Sequence, residues 1–440
     1  MFICVKTGHV FQPFFLFLWP TKTDDMKKQM LILLLMALTL GAHAQQAITV
    51  SVFNPSPTAR ADQPVVISLT PFGDIRSALV TNDGQEIPCQ LDDLDQDDTF
   101  DELCFLSDLN GRETKRYEVT LLAEGEPRPY PARVYADMLL RNDKVKEKNK
   151  HNNFIESITA RGDCADSYHI QHHHGVDFES ELNGIRIYFD KRQTPDLYGK
   201  FQKRLELQAT QFYTSKQQKA EGYGDDVLWV GNTFGLGAFR GWDGQKPTMI
   251  DPVRSRTQRI ISYGPLRTIV ELVDRGWSAP SPLTSRPSPL NMTIRYTQYA
   301  GHRDTDVDVF FNKDVSDRLF STGIINVKGS VEFSDKQGLR ACWGTDYPSS
   351  DTINWKRETV GLAVCIPQKY IKSEEPANKD NYAFVVGTDS NHLSYKIIYT
   401  SDNETFGYHS AKEWFEFLQE WKHELVDRPI EIKTNRHSDK

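Results

Sequence analysis

Several features are scarce in this chain of 440 residues, and each scarcity removes a class of protein. Basic residues do not dominate: 52 Lys+Arg stand against 60 Asp+Glu, a net charge of −8, which disfavours nonspecific binding to nucleic acid or to an anionic membrane. No phosphate loop, zinc-type Cys pattern or G-x-S-x-G elbow occurs, so nucleotide hydrolysis through a P-loop and serine hydrolase chemistry lose their sequence basis. Cys totals only six, too few to scaffold a chain of this length. Helical periodicity is also scarce, and no apolar run reaches the roughly 20 residues that cross a bilayer. What is present is a globular composition, 39% hydrophobic and 25% charged, that excludes a disordered tail or a collagen.

Near the N-terminus, Met26-Lys27-Lys28, the apolar run Leu31 to Ala42 and Ala42-His43-Ala44 read as a secretory signal peptide cut after Ala44. The chain is therefore expected to be exported, to the periplasm or the medium, with residues 1–25 a mis-assigned upstream extension. Past the cut stand Cys89, Cys104, Cys164, Cys342 and Cys365, an odd number that leaves at least one thiol unpaired within the chain. The pairs to test are Cys89/Cys104 and Cys342/Cys365.

Short alternating runs point to strands. Ile48 to Phe53, Pro64 to Leu69 and Tyr117 to Leu122 predict a small β-sandwich over 45–125. Residues 126–154, strongly basic from Lys144 to Lys150, read as a linker or surface loop. From 155 to 435 the runs Ile185 to Phe189, Arg267 to Val273, Met292 to Thr297, Thr305 to Phe311, Ile324 to Lys328 and Tyr395 to Tyr399 predict antiparallel sheets packed face to face. One helix is expected near the end: Ser410 caps it, Trp414, Phe417, Leu418, Trp421 and Leu425 share a face, and Pro429 stops it.

Two groups of motifs carry a family likeness. One is Arg60-Ala-Asp-Gln-Pro-Val-Val with Pro88-Cys-Gln-Leu-Asp-Asp-Leu-Asp-Gln-Asp-Asp-Thr-Phe-Asp-Glu-Leu. The other runs through His173-His174-Gly175, Glu179-Ser180, Tyr188, Asp196-Leu-Tyr-Gly-Lys200, Gly222-Tyr-Gly-Asp-Asp226 and Gly235-Leu-Gly237. The chain resembles the bacterial family known as DUF4861 over its whole length past the signal, with departures at Asp98 and Tyr223. The resemblance implies a mostly β protein: a small N-terminal β-sandwich followed by a large antiparallel β-supersandwich of galactose-mutarotase type. It also implies export and an association with the degradation of uronate-containing polysaccharides. One fold hosts many chemistries, so the reaction has to come from the site.

Four constellations carry candidate chemistry. In His169 and His172 to His174, imidazoles suit acid–base work near neutrality. On a strand His172 and His174 would share a face and, with Asp177 or Glu179, could hold a divalent ion. Tyr188 and Tyr198 are candidate acids or bases, with Arg186, Lys200 and Arg204 as the cations that would tune them or grip a carboxylate. The glycine-rich stretch Gly222 to Asp243 offers Trp229 and Trp242 for stacking on a sugar, with Asp225, Asp226 and Arg240 as hydrogen-bonding groups. In the acidic loop, Asp93, Asp95, Asp97 and Asp101 have a spacing that suits a structural calcium ion, although it is not an EF-hand.

The expected activity is elimination on a uronate-containing poly- or oligosaccharide, as a lyase or a dehydratase. His174 and Tyr188 would be the proton-transfer pair, with His173 and Tyr198 as substitutes. Arg240 and Arg186 would clamp the carboxylate, and Trp229, Trp242, Asp226 and Glu179 would bind the sugar. No cofactor is expected to be required, and the acidic loop is the candidate for a structural calcium ion. The alternatives are a glycoside hydrolase or mutarotase working through Glu179, Glu181 or Asp226, and a non-catalytic glycan binder.

Overall fold

A computed structural model of the chain describes residues 45–162, 170–281 and 288–436. The export signal expected within residues 1–44, together with Cys164 and His169, lies outside the described residues. Among the described residues no helix is long and apolar enough to cross a membrane. The protein is mostly β, built from antiparallel sheets, and the described residues from Gln46 onward form one compact unit.

The N-terminal strands form a sandwich of a five-stranded and a three-stranded sheet. Strand Gln45–Phe53 turns Ile48, Val50 and Val52 inward, where they meet Val65 and Ile67 of Arg60–Ser68 and Val119 and Leu121 of Thr114–Leu122. Its outer strand comes from the far end of the chain: Glu431–Arg436 pairs antiparallel with Ile48 to Phe53. The larger body packs a nine-stranded sheet against two five-stranded sheets around one apolar core. Leu272, Ile294, Val309 and Ile397 of the large sheet meet Val176, Ile187 and Leu197 of one facing sheet and Phe320 and Phe384 of the other.

The C-terminal helix Ala411–Val426 lies on the outer face of the large sheet. Ser410 caps it by accepting a hydrogen bond from Glu413 N at 3.2 Å. Trp414 and Leu418 are fully buried against Leu339, Ala363 and Ile398.

Three expectations need correction. Cys89, Cys104, Cys342 and Cys365 are all free and buried. Cys104 is out of register with Cys89, facing Gln90, and sits on the opposite face from Leu103 and Phe105 of the sandwich core. Cys342 pairs with Leu362 and points into the large core, whereas Cys365 pairs with Leu339 and points to the helix. Alternation of side chains along a strand therefore keeps both pairs apart. Next, the expected linker is partly strand: Val134–Asp137 pairs with Gly175–Ser180, and Leu139–Leu140 with Asn153–Phe154. Last, the strand expected over Ile324 to Lys328 is Phe320–Ile325, because Val327 and Ser330 already close a turn.

Candidate functional site

One five-stranded sheet of the larger body has two unlike faces. Ala136, Val176, Phe178, Ile185, Ile187 and Leu197 point into the core. The alternate positions are ionisable, and pairing aligns them across four strands: Asp137 opposite Asp177, Asp177 opposite Arg186, Arg186 opposite Asp196. Glu179 and Tyr198 belong to the same polar face by the period of two. All six of these residues are buried.

A cover makes the burial tolerable. Lys200 Nζ donates to Glu179 at 2.5 Å and to the carbonyls of Ser180 and Arg204 at 2.7 Å. Glu179 also accepts from the backbone N–H of Glu206 and Leu207 at 2.8 and 2.7 Å. Tyr198 packs against Leu207 and Phe212, and its hydroxyl donates to Gly224 O at 2.8 Å. Gly224 is required there, since a Cβ would fall 1.8 Å from Gly199 O. Glu179 and Tyr198, expected at the substrate, instead anchor this cover, because both polar groups are already satisfied inside it.

The histidines do not lie on a strand. His172 N bonds Leu139 O at 2.9 Å, Phe189 N bonds His174 O at 2.8 Å, and the turn between them carries His174 at a φ of 71°. Gly175 follows because a Cβ there would meet Ile187 O at 1.8 Å. The turn keeps His172 and His174 on one side and His173 on the other, but it is His173 that meets the carboxylates. His173 points down onto the polar face, with Nε2 at 3.0 Å from Asp137 Oδ1 and 3.5 Å from Asp177 Oδ2. His172 and His174 instead line an open cavity of about 480 Å³ with His151, Tyr213, Arg141, Lys146 and Lys148. The His151 and His172 rings stack at 3.8 Å.

His174 and Tyr188 come together, with near-parallel rings 5.8 Å apart. The Tyr188 hydroxyl donates to Asp196 at 3.0 Å, and Arg186 and Arg192 lie over its ring at 5.1 and 4.5 Å. Tyr213, which the sequence did not single out, offers its ring directly to the cavity, beneath Lys148 at 5.1 Å. Its neighbour Phe212 carries the Arg186 guanidinium at 4.0 Å.

Burial dominates the local acid–base chemistry. It raises Tyr188 and Tyr213 above the ordinary phenol value, with Arg186 pulling the other way, so both hydroxyls hold their protons. It lowers His172 to about 3, helped by His173 and His151, which keeps that ring neutral. Burial and the neighbouring Asp137 hold the Asp177 carboxyl well above its usual range. Burial also works against ionisation of Asp137, yet the contact with His173 outweighs it and leaves that carboxyl below its ordinary value.

The remaining expected site residues are dispersed. Arg240 is 2% exposed and donates to the carbonyls of Arg192, Phe239 and Thr233 and to Thr194 Oγ1. Burial lowers it to about 10. Four of its five N–H groups brace the protein and the side chain is buried, which removes it from the reach of a substrate carboxylate. Arg186 is paired with Asp196 at 2.6 Å and Asp226 at 3.1 Å. Glu181 bonds Arg133 at 2.5 Å and Gly301 N at 2.7 Å, so each acid considered for hydrolysis is engaged. Trp242 is 6% exposed and belongs to the interior, which leaves it no face for a sugar. Trp229 is 49% exposed but lines another cavity of about 600 Å³, with Asn326, Tyr347 and Glu358. The glycine-rich segment thus meets the histidine-bearing sheet through Gly224, Asp225 and Asp226, not through its tryptophans.

In the acidic loop, Asp93, Asp95 and Asp101 bring carboxylate oxygens within 4.8 Å of one another. Asp97 instead accepts from Thr99 N at 2.9 Å, and Asp93 accepts from Gln96 N and Asp98 N at 2.6 and 2.8 Å.

Among solved structures, the chain is similar to an alpha-mannosidase from Enterococcus faecalis V583, at 10% identity and a TM-score of 0.45 over 95% of this chain and 50% of that one. It is also similar to a protein in the glycosyl hydrolase family 38 from Enterococcus faecalis, at 9% identity and a TM-score of 0.45 over 88% of this chain and 47% of that one. The chain spans about half the length of these structures. No curated protein matches it. A family model described as "Domain of unknown function (DUF4861)" matches residues 52–432, and the chain therefore belongs to the DUF4861 family.

Proposed function

We propose that this protein is an exported carbohydrate-active enzyme that acts on uronate-containing oligo- or polysaccharides by elimination. The observation that carries the reading is the cavity that joins imidazoles and a phenol with cations: His172, His174 and Tyr213 with Lys146, Lys148 and Arg141, the last paired with Asp143 at 3.0 Å. Elimination beside a uronate carboxylate needs positive charge to acidify the C5 proton, a base to take it, and an acid for the oxygen leaving C4.

Lys146 and Lys148 supply the charge, in place of the buried Arg240. His174 takes the proton. Tyr213, kept protonated by burial and open to the cavity, serves the leaving oxygen. Tyr188 is a positioning residue: its ring holds that of His174, while its hydroxyl is committed to Asp196.

The test is incubation with pectic, ulvan and glucuronan oligosaccharides, followed by mass and by absorbance of a new double bond. An unchanged total mass with a new double bond identifies a lyase, and loss of water a dehydratase. Gain of water would replace this reading with hydrolysis. Binding without any mass change would leave a glycan-binding protein.

A further inference from the structure

The polar face of the histidine-bearing sheet holds more buried negative charge than the cations around it offset. Glu179 is matched by Lys200 at 2.5 Å, and Asp196 and Asp226 share Arg186. Asp137 and Asp177 are left with a single imidazole, that of His173. Asp177 is fully buried, and neither of its carboxylate oxygens has a hydrogen-bond partner. A buried carboxylate is tolerated when it is paired, hydrogen-bonded or bound to a metal, and Asp177 has neither of the first two in full.

We infer that Asp137, His173 and Asp177 hold a divalent cation of the zinc class. One ring nitrogen and one oxygen from each carboxylate lie within 4.8 Å of one another. The His173 Nε2 contacts of 3.0 and 3.5 Å bracket the separation of about 3.3 Å that tetrahedral ligands take at zinc bond lengths near 2.0–2.1 Å. The donor set decides the class. An imidazole with two carboxylates suits zinc, while calcium takes six to eight oxygens and magnesium keeps its waters. Tyr135 donates to the other Asp137 oxygen at 2.8 Å, the outer contact that orients a ligating carboxylate.

Three protein ligands leave a fourth position for water. The ion would tie the histidine turn to strands Val134–Asp137 and Gly175–Ser180, and so fix His172 and His174 at the cavity wall. The inference concerns metal binding and stands whether or not the reaction is elimination.

The experiment is elemental analysis of the purified full chain, then chelation and titration with Zn²⁺ alone, read by thermal melting. The expected result is about one equivalent of metal per chain, a melting temperature lowered by chelation and restored by Zn²⁺, and loss of both effects in Asp177→Asn and His173→Gln. Co²⁺ in place of Zn²⁺ should give the absorption bands of a tetrahedral site. Asp137→Asn serves if either variant does not fold, and Asp95→Asn in the acidic loop should keep the metal. A wild-type chain that neither contains nor takes up Zn²⁺ would overturn the inference, most plainly if Asp177→Asn then melted higher, the mark of two carboxylates sharing a proton. Metal retained by all three ligand variants, or lost in Asp95→Asn alone, would overturn it as well.

Discussion

The N-terminal sandwich and the histidine-bearing sheet use the same alternation to different ends. Along Thr114–Leu122, Tyr117, Val119 and Leu121 face a core while Arg116 and Glu118 face water. Along Gly175–Ser180, Val176 and Phe178 face a core, but Asp177 and Glu179 on the other side are dry. Charged side chains in water cost the fold little, whereas under a protein cover each needs a partner or becomes a liability. The segment from Lys200 to Tyr223 is that cover, and it turns an ordinary polar face into a constrained array of acids and bases. The contrast between the faces shows that the cover, not the residue type, decides what a charge costs the fold.

The largest effect should come from breaking a dry pair. Lys200→Met leaves Glu179 buried without its cation and should cost about 3–5 kcal/mol, read by urea unfolding at neutral pH. A loss under about 1 kcal/mol would mean that the cover is looser than the structure has it.

The cavity variants come next. His174→Ala should lower turnover by about 10²–10⁴-fold while the melting temperature holds. Tyr213→Phe should lose activity to a similar degree, and Tyr188→Phe, which keeps the stacked ring, should lose much less. The reverse order would return the acid role to Tyr188.

A smaller effect lies where the sandwich meets the large sheet. His302 contacts Asp62 O at 2.8 Å and Asp304 at 3.2 Å. Burial opposes its charge, but Asp304 and the Asp62 carbonyl outweigh burial and raise its pKa above 6.5. The folded state then binds a proton that the unfolded state releases first, so the stabilisation is complete below about pH 6.5 and is lost as pH rises through the folded value. Melting temperature should fall over that window in the wild type and stay flatter in His302→Asn.

The smallest change is expected on the wet face. Glu118→Ala removes an exposed contact with Thr49 and should shift stability by less than about 0.5 kcal/mol in the same urea assay.

Strands such as Asp304–Phe311 were legible because period-two patterning reports a single buried face, and the helix was legible from Ser410 and its apolar stripe. The pairing of His174 with Tyr188 was legible as a cluster, but its geometry was not. The sequence reading set His172 and His174 on one face and His173 on the other, and that split holds, but it is made by a turn with His174 at a φ of 71° and it brings His173, not its neighbours, to Asp177. Asp137 escaped notice because its short strand lies in a stretch that reads as linker. Lys146 and Lys148 escaped for a related reason: a run of lysines looks like a solvated loop unless one knows what lies beneath it.

Local patterning, then, was enough to determine that this is a β protein with a capped terminal helix, since each element satisfies its own backbone and needs only one apolar face. Tertiary structure alone decided which polar residues are dry, and with them the grouping of Asp137, His173 and Asp177, the residues of the cavity wall and the bracing role of Arg240. Burial belongs to no residue by itself: it depends on what a distant segment lays over it, and no spacing along the chain reports that distance in space.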